Sequence, residues 1–209
     1  MNIFVSRPTW VAPEFEEGLK VFLAILENNN LKPRTLGASD YPSKAPLDEV
    51  IEIMDQCSGA VVLGYPQISI ESGVVKEEKL DSELVLPTEW NHIETALAYS
   101  KGLPVLVIHH ESVRRGVFDR GVMNAFVHSF DLKIPSWPVD TALGGAITAW
   151  KNNCEKGNSN FPSSKPIESD LPFCPNCSTS SQKTYMTELG SDFKMVGKWL
   201  CPKCDLITR

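Results

Sequence analysis

Apolar positions along the chain follow two periods in turn. The segment "NIFVS" (residues 2–6) is a short apolar run, and "EFEEGLKVFLAILENNN" then places Phe15, Leu19, Phe22, Leu23 and Leu26 at helical spacing. "PRTLGAS" reads as a second strand, and "PLDEVIEIMDQC" puts Leu47, Val50, Ile51 and Met54 on one helical face. "GAVVLG" is a further buried strand. After a charged connection, "EWNHIETALAYSKGLPVLVIHH" predicts a helix running into a strand, and "FVHSFDL" with "DTALGGAITAWKNNCEK" supplies a last strand and helix. Near-continuous apolar strands separated by amphipathic helices predict an α/β domain: a doubly wound, five-stranded parallel sheet covered on both faces. Ligands in such sheets lie at the carboxyl ends of strands where strand order reverses. The loops after "NIFVS", "GAVVLG" and "PVLVI" are therefore where a site is expected.

From about residue 156 the pattern stops. "KGNSNFPSSKPIESDLP" is rich in Ser, Pro and Asn without periodicity, as a linker is written. The expected organisation is an α/β domain over 1–156, a linker over 157–172 and a small module over 173–209. The net charge of −6 argues against a chain built mainly to hold nucleic acid. No apolar run approaches the ~20 residues needed to span a bilayer, and the N-terminus lacks a basic stretch before an apolar one. A cytoplasmic setting, without a membrane partner, is the expectation.

Four of the six cysteines form "CPNC" and "CPKC" near the C-terminus, with 23 residues between the pairs. Two such knuckles bring Cys174, Cys177, Cys201 and Cys204 into a tetrahedral four-sulfur shell, with Zn–S distances of about 2.3 Å. A closed shell leaves no open position, so a zinc ion here is structural. Residues 173–209 resemble a zinc ribbon, in which "YMTELG" and "FKMVGKWL" make a β-hairpin; ribbons bind proteins or nucleic acid, or bind nothing. Cys57 and Cys154 read as buried structural thiols.

One residue of the helix after Pro87 disturbs the amphipathic pattern. With Thr88 as N-cap and Gly102 as terminator, Trp90, Ile93 and Leu97 share a face at about 100° per residue, and Glu94 lies within roughly 40° of Trp90 at its edge. Its place near the helix start puts a carboxylate close to the carboxyl ends of the strands. Partial burial there raises a carboxyl pKa and removes competing water. The alternative is a boundary glutamate paired with Lys or Arg.

"IFVS", "GAVVLG" and "EWNHIETALAYSKGLPVLVI", with Trp90 and Glu94 in a W-x-x-x-E arrangement, together resemble the TIR-like, flavodoxin-like branch of nucleotide-binding α/β domains and the related nucleoside 2-deoxyribosyltransferases. The resemblance covers about residues 2–150. It implies Glu94 as the catalytic residue, working at a ribose, and an N-glycosidic bond as the bond broken. NAD is the substrate it implies first, with nicotinamide released; it also implies assembly-dependent activity and antiviral defence. Alternatives are a nucleoside 2-deoxyribosyltransferase or nucleoside hydrolase, and a non-catalytic nucleotide-sensing or scaffold domain.

Ser6 and Arg7, after the first strand, are placed to bind phosphate or ribose, the arginine through its fixed donor fork. Trp90 and Tyr65 are placed to stack on a base. For all four the structural alternative stands beside the functional one: a loop cap, an ion pair, or packing. His92 falls about 200° around the helix from Glu94, which sets it on the surface. His109 and His110 end a strand at its carboxyl side. Two features differ from the resemblance: the loop "SRPTWVAP" is worded more like the transferases, and the charged connection from Gly64 to Pro87 is long enough for a lid, a partner-binding arm or a disordered insertion. The expected partners are a nucleotide small molecule, a second copy of the chain, and a protein or nucleic acid at the ribbon.

Overall fold

The computed structural model describes residues 1–41, 43–119, 122 and 126–157, together with 174, 176–178, 187–188, 199–200, 203–204 and 207–208. The chain forms two compact units, Met1–Asn160 and Phe161–Arg209. The first is built on strands β1 (Asn2–Ser6), β2 (Lys32–Arg34) and β3 (Ala60–Gly64), with helices α1 (Pro13–Asn28) and α2 (Pro46–Asp55) between them. A ribbon of short strands follows: β4 (Ile68–Ile70), β5 (Val74–Val75), β6 (Glu78–Lys79) and β7 (Leu84–Leu86). Then come α3 (Glu89–Ser100), β8 (Val105–His110), β9 (Phe126–Phe130) and α4 (Thr141–Glu155). Five strands pair in parallel in the order β2-β1-β3-β8-β9. The chain moves outward from β1 to β2, then returns across β1 to β3, so strand order reverses between β1 and β3.

Alternation along the central strands divides the core in two. Ile3, Val5, Val61, Leu63, Leu106 and Ile108 pack with Phe15, Leu19, Phe22 and Leu26 of α1 and with Leu143, Ile147 and Trp150 of α4. Phe4, Ala60, Val62, Val105 and Val107 pack with Val50, Ile53 and Met54 of α2 and Ala98 of α3. Successive side chains of a strand point to opposite faces, so a sheet covered on both sides requires apolar residues at every position, and the sequence supplies them.

Two local expectations need correction, and one open alternative, a disordered insertion after Gly64, is excluded. β2 ends at Arg34; the rest of "PRTLGAS" is a turn in which the Thr35 carbonyl accepts from the amides of Ala38, Ser39 and Asp40. Gly37 takes φ +79° there, and Asp40 folds back onto Arg34 at 2.5 Å, so the chain leaves the sheet early. On α2 the buried set is Val50, Ile53 and Met54, while Leu47, in the first turn, is exposed and Ile51 is half-buried. The connection after Gly64 is an ordered antiparallel ribbon. β4 pairs with β7 and β5 with β6, and the tip turns through Lys76 and Glu77, both at positive φ. Its base is tied down by Val85, which is buried and bridges Val113.

In the second unit β10 (Thr187–Glu188), β11 (Trp199–Leu200) and β12 (Ile207–Thr208) form an antiparallel sheet in that order. The hairpin expected from "YMTELG" and "FKMVGKWL" is the β10–β11 pair, with one strand added. No helix among the described residues is long and apolar enough to cross a membrane.

Candidate active site and metal centre

Helix α3 enters over the reversal point between β1 and β3. Thr88 caps it: its hydroxyl accepts from the Asn91 amide at 3.3 Å and donates to Asn91 Oδ1 at 3.0 Å. At the other end Gly102 adopts φ +74°, a conformation that glycine takes without a Cβ penalty. The face turned to the sheet is Asn91, Glu94, Thr95 and Ala98, one residue on from the apolar stripe of Trp90, Ile93 and Leu97. Trp90 and Ile93 are exposed, at 41% and 43%. Glu94 is therefore on the buried face itself, 8% exposed, rather than at its edge.

A cleft of about 380 Å³ opens beside it, lined by Glu94, Trp90 and Thr88 from α3 and its cap, by Arg7 to Trp10 from the loop after β1, and by Gln67 after β3. It lies at the carboxyl ends of the two strands that flank the reversal. Arg7 and Glu94 are the ionisable side chains among its lining residues. Burial pushes the Glu94 carboxyl up to about 7, with the Ser6 hydroxyl acting in the opposite direction. The Arg7 guanidinium is half-buried; its Nη1 donates to the Pro8 carbonyl at 3.1 Å, while its Nε is buried with no hydrogen-bond partner among the described residues. Burial also lowers its pKa from the usual value.

The remaining expected site residues divide. Ser6, 1% exposed, sits beneath the cleft and accepts from Asn91 Nδ2 at 2.9 Å. Trp90 is at the cleft wall. Tyr65 is fully buried in the core against Phe15, ring centroids 5.4 Å apart, so its ring presents no face to a ligand in the cleft. His92 is half-buried rather than exposed: it meets Phe118 edge-on at 5.5 Å and lies over Gly116, where a Cβ would come within 2.7 Å of its ring. His109 is buried, its Nδ1 2.9 Å from the His110 carbonyl oxygen. His110 borders a neighbouring cavity of about 490 Å³ that shares Trp10 and Gln67 with the first. Burial drives the Cys57 and Cys154 thiols up to about 11 and about 12, which keeps both protonated and inert.

Sequence pattern passes over two residues of this site. Asn91 is one helical turn before Glu94 and fully buried, and a polar pair at that spacing on an otherwise short helix is the signal that marks it. Trp10, 64% exposed at the mouth of both cavities, follows directly on the loop carrying Ser6 and Arg7.

In the second unit Cys174, Cys177 and Cys204 bring their sulfurs within 4.8 Å of one another, close enough to bind one metal ion. Cys201 lies outside the described residues. A disulfide would hold two sulfurs at about 2.05 Å, whereas a tetrahedral four-thiolate zinc shell separates them by about 3.8 Å. Cys174 Sγ and Cys204 Sγ stand 3.6 Å apart, which fits the metal shell.

Together these features define an α/β protein of flavodoxin-like strand order with a carboxylate buried at its switch point, followed by a small cysteine-bearing antiparallel module. No protein-family model matches the chain, and no curated protein matches it. Among solved structures, the CMP N-glycosidase BcmB of Clostridium botulinum is similar at 10% identity and a TM-score of 0.42, over 64% of this chain and 91% of that one.

Proposed function

We propose that the first unit cleaves the N-glycosidic bond of a nucleotide, with Glu94 as the carboxylate set against the ribose. The observation that carries this reading is a nearly buried carboxylate facing a cleft at the carboxyl ends of β1 and β3. Breaking a ribosyl–base bond builds positive charge on the anomeric carbon and ring oxygen. A carboxylate with little competing water stabilises that oxocarbenium-like state or attacks it. Arg7 supports a phosphorylated substrate: a cleft-lining guanidinium with a buried, unpaired Nε–H carries a desolvation cost that an anion removes. Trp90 offers a ring at the cleft wall for the base or sugar.

The finer form of the proposal is NAD glycohydrolysis. It rests on the resemblance of the W-x-x-x-E helix to TIR-like domains and on leaving-group chemistry, because nicotinamide departs as a neutral base and needs no general acid. The cysteine group of the second unit is proposed to hold one structural zinc, with Cys201 as the fourth ligand.

The test is chromatographic detection of free base after incubating the full chain with NAD, with nucleoside monophosphates and with the matching nucleosides. The expected result is base release from a phosphorylated substrate, and a rate about 10² to 10³ lower for Glu94→Gln. Equal rates for the two proteins would overturn the role of Glu94. Base exchange between two deoxynucleosides without hydrolysis would move the reading to a deoxyribosyltransferase, and ligand binding without any product to a sensing domain.

A further inference from the structure

A second cavity adjoins the cleft, and the reaction at Glu94 leaves it unused. Its volume is about 490 Å³, and it shares Trp10 and Gln67 with the cleft. The cleft takes its other walls from α3 and from the turn after β2, on one face of the sheet. The second cavity takes its walls from the start of α1, on the other face, and from the base of the β4–β7 ribbon. Trp10, 64% exposed, is thus a common wall of two adjoining spaces near the carboxyl ends of the strands. The two spaces differ in charge. Arg7 lines the cleft, whereas the charged residues lining the second cavity are Glu14, Glu83 and Lys133. Lys133 Nζ is 3.8 Å from Glu14 Oε1, and Glu83 accepts from the Ser69 hydroxyl without an ion pair among the described residues. His110 adds no charge: the Ser112 amide donates to its Nδ1 at 3.1 Å, which leaves the single ring proton on Nε2, and burial lowers its pKa.

We propose that the second cavity holds the distal nucleoside of a dinucleotide whose scissile ribose lies against Glu94, with the pyrophosphate passing Trp10 beside Arg7 and Glu83 accepting from the distal ribose hydroxyls. The inference rests on the reading of the cleft as the place where the N-glycosidic bond breaks, and it names the substrate class. Pockets that enclose a drug-sized ligand measure about 300 to 1,000 Å³, so the cleft's 380 Å³ gives room for a mononucleotide. A longer ligand has to continue past Trp10, whose exposed indole offers a face for a base to stack on. Beyond it, one net negative charge disfavours phosphate and suits a neutral nucleoside. A carboxylate that accepts from a ribose diol also rejects a 2′-phosphate, because like charges would meet.

The test is calorimetric binding to the full chain carrying Glu94→Gln, which slows turnover, with nicotinamide mononucleotide, NAD and NADP as the probes. NAD is expected to bind about tenfold or more tightly than either the mononucleotide or NADP, the scale of one hydrogen bond to a charged group. Two further substitutions separate the parts of the second cavity. Ser69→Trp sets an indole at its wall and frees Glu83, and is expected to remove the advantage of NAD over the mononucleotide. Glu83→Lys replaces the repelling charge with an attracting one, and is expected to turn the preference toward NADP. Ser69 and Glu83 are both exposed on the ribbon, so neither change disturbs the core.

Equal affinities for NAD and the mononucleotide, no measurable NAD binding, or an NAD affinity that Ser69→Trp leaves untouched would each overturn the inference. A Glu83→Lys protein that still prefers NAD over NADP would overturn it as well. Failure of the reaction reads differently. NAD binding that Ser69→Trp weakens, in a protein whose wild-type form releases no base, sustains the second cavity as a nucleoside site and sinks the glycosidase reading. Base release from mononucleotides, with NAD bound no more tightly than they are, sustains the reaction and sinks the second site.

Discussion

Glu94 stores a cost that its surroundings do not relieve. Its carboxyl ionises at about 7 in the folded chain against an ordinary 4.5, chiefly because burial disfavours the charge. The folded state therefore binds the proton more tightly than the unfolded state. The stabilisation this gives is fully present below about pH 4.5 and is lost as pH rises through about 7. The difference approaches about 3 kcal/mol above neutrality. Glutamine carries no such charge, so Glu94→Gln should be more stable than wild type at pH 8 and close to it at pH 4.5, as read from urea midpoints. A gap that is the same at both values would show that Glu94 does not titrate between them. A residue whose charge destabilises the fold at working pH has a natural explanation in function, since strain of this kind concentrates where chemistry is done. In the sequence Glu94 shows as a break in an apolar pattern. The depth of its burial does not show, because it depends on which face of α3 meets the sheet.

At the scale of elements, that face is where hydrophobic periodicity misleads. Trp90, Ile93 and Leu97 have the helical spacing of a core stripe, yet α3 turns Asn91, Glu94, Thr95 and Ala98 inward. The polar face wins because the sheet end beneath it offers partners: Ser6 Oγ and the Leu63 carbonyl both accept from the Asn91 side-chain amide. A periodicity argument weighs apolar area and has no access to hydrogen-bond partners distant in sequence, so it fails at the helix that serves the site. It succeeds for α1 and α4, which cover the sheet with ordinary apolar faces, and for the central strands. Even there one position escapes it. Gly18, inside α1, reads as a weak helical residue that alanine should improve by up to about 1 kcal/mol. A Cβ at Gly18 would lie 2.4 Å from Trp137 Nε1, and that indole is buried and stacked on Phe22 at 5.2 Å. Gly18→Ala is therefore expected to destabilise the protein by about 1–3 kcal/mol, the cost of overpacking, and a stabilised variant in the same denaturation assay would disprove the close packing.

For the whole molecule, the two units obtain their stability from different sources. Met1–Asn160 buries apolar side chains on both faces of a five-stranded sheet, which is enough core for independent folding. Phe161–Arg209 carries its described strands as a small antiparallel sheet, together with three cysteine sulfurs within 4.8 Å of one another. A module of that size has too little apolar area to offset its conformational entropy, and a bound metal is the usual remedy. The cysteine spacing shows this plainly in the sequence, because two short knuckles are a local pattern. The candidate site in the first unit is assembled from residues some 85 positions apart, such as Ser6 and Asn91, and is legible only in scattered pieces. The division predicts how the chain should respond to a chelator. Freshly reduced protein should contain about one zinc per chain, released on chelation. Unfolding should then show two transitions by heat, of which chelation abolishes one and leaves the other, belonging to the sheet of the first unit, at its original temperature. A single transition that falls as a whole on metal removal would mean that the metal stabilises both units together.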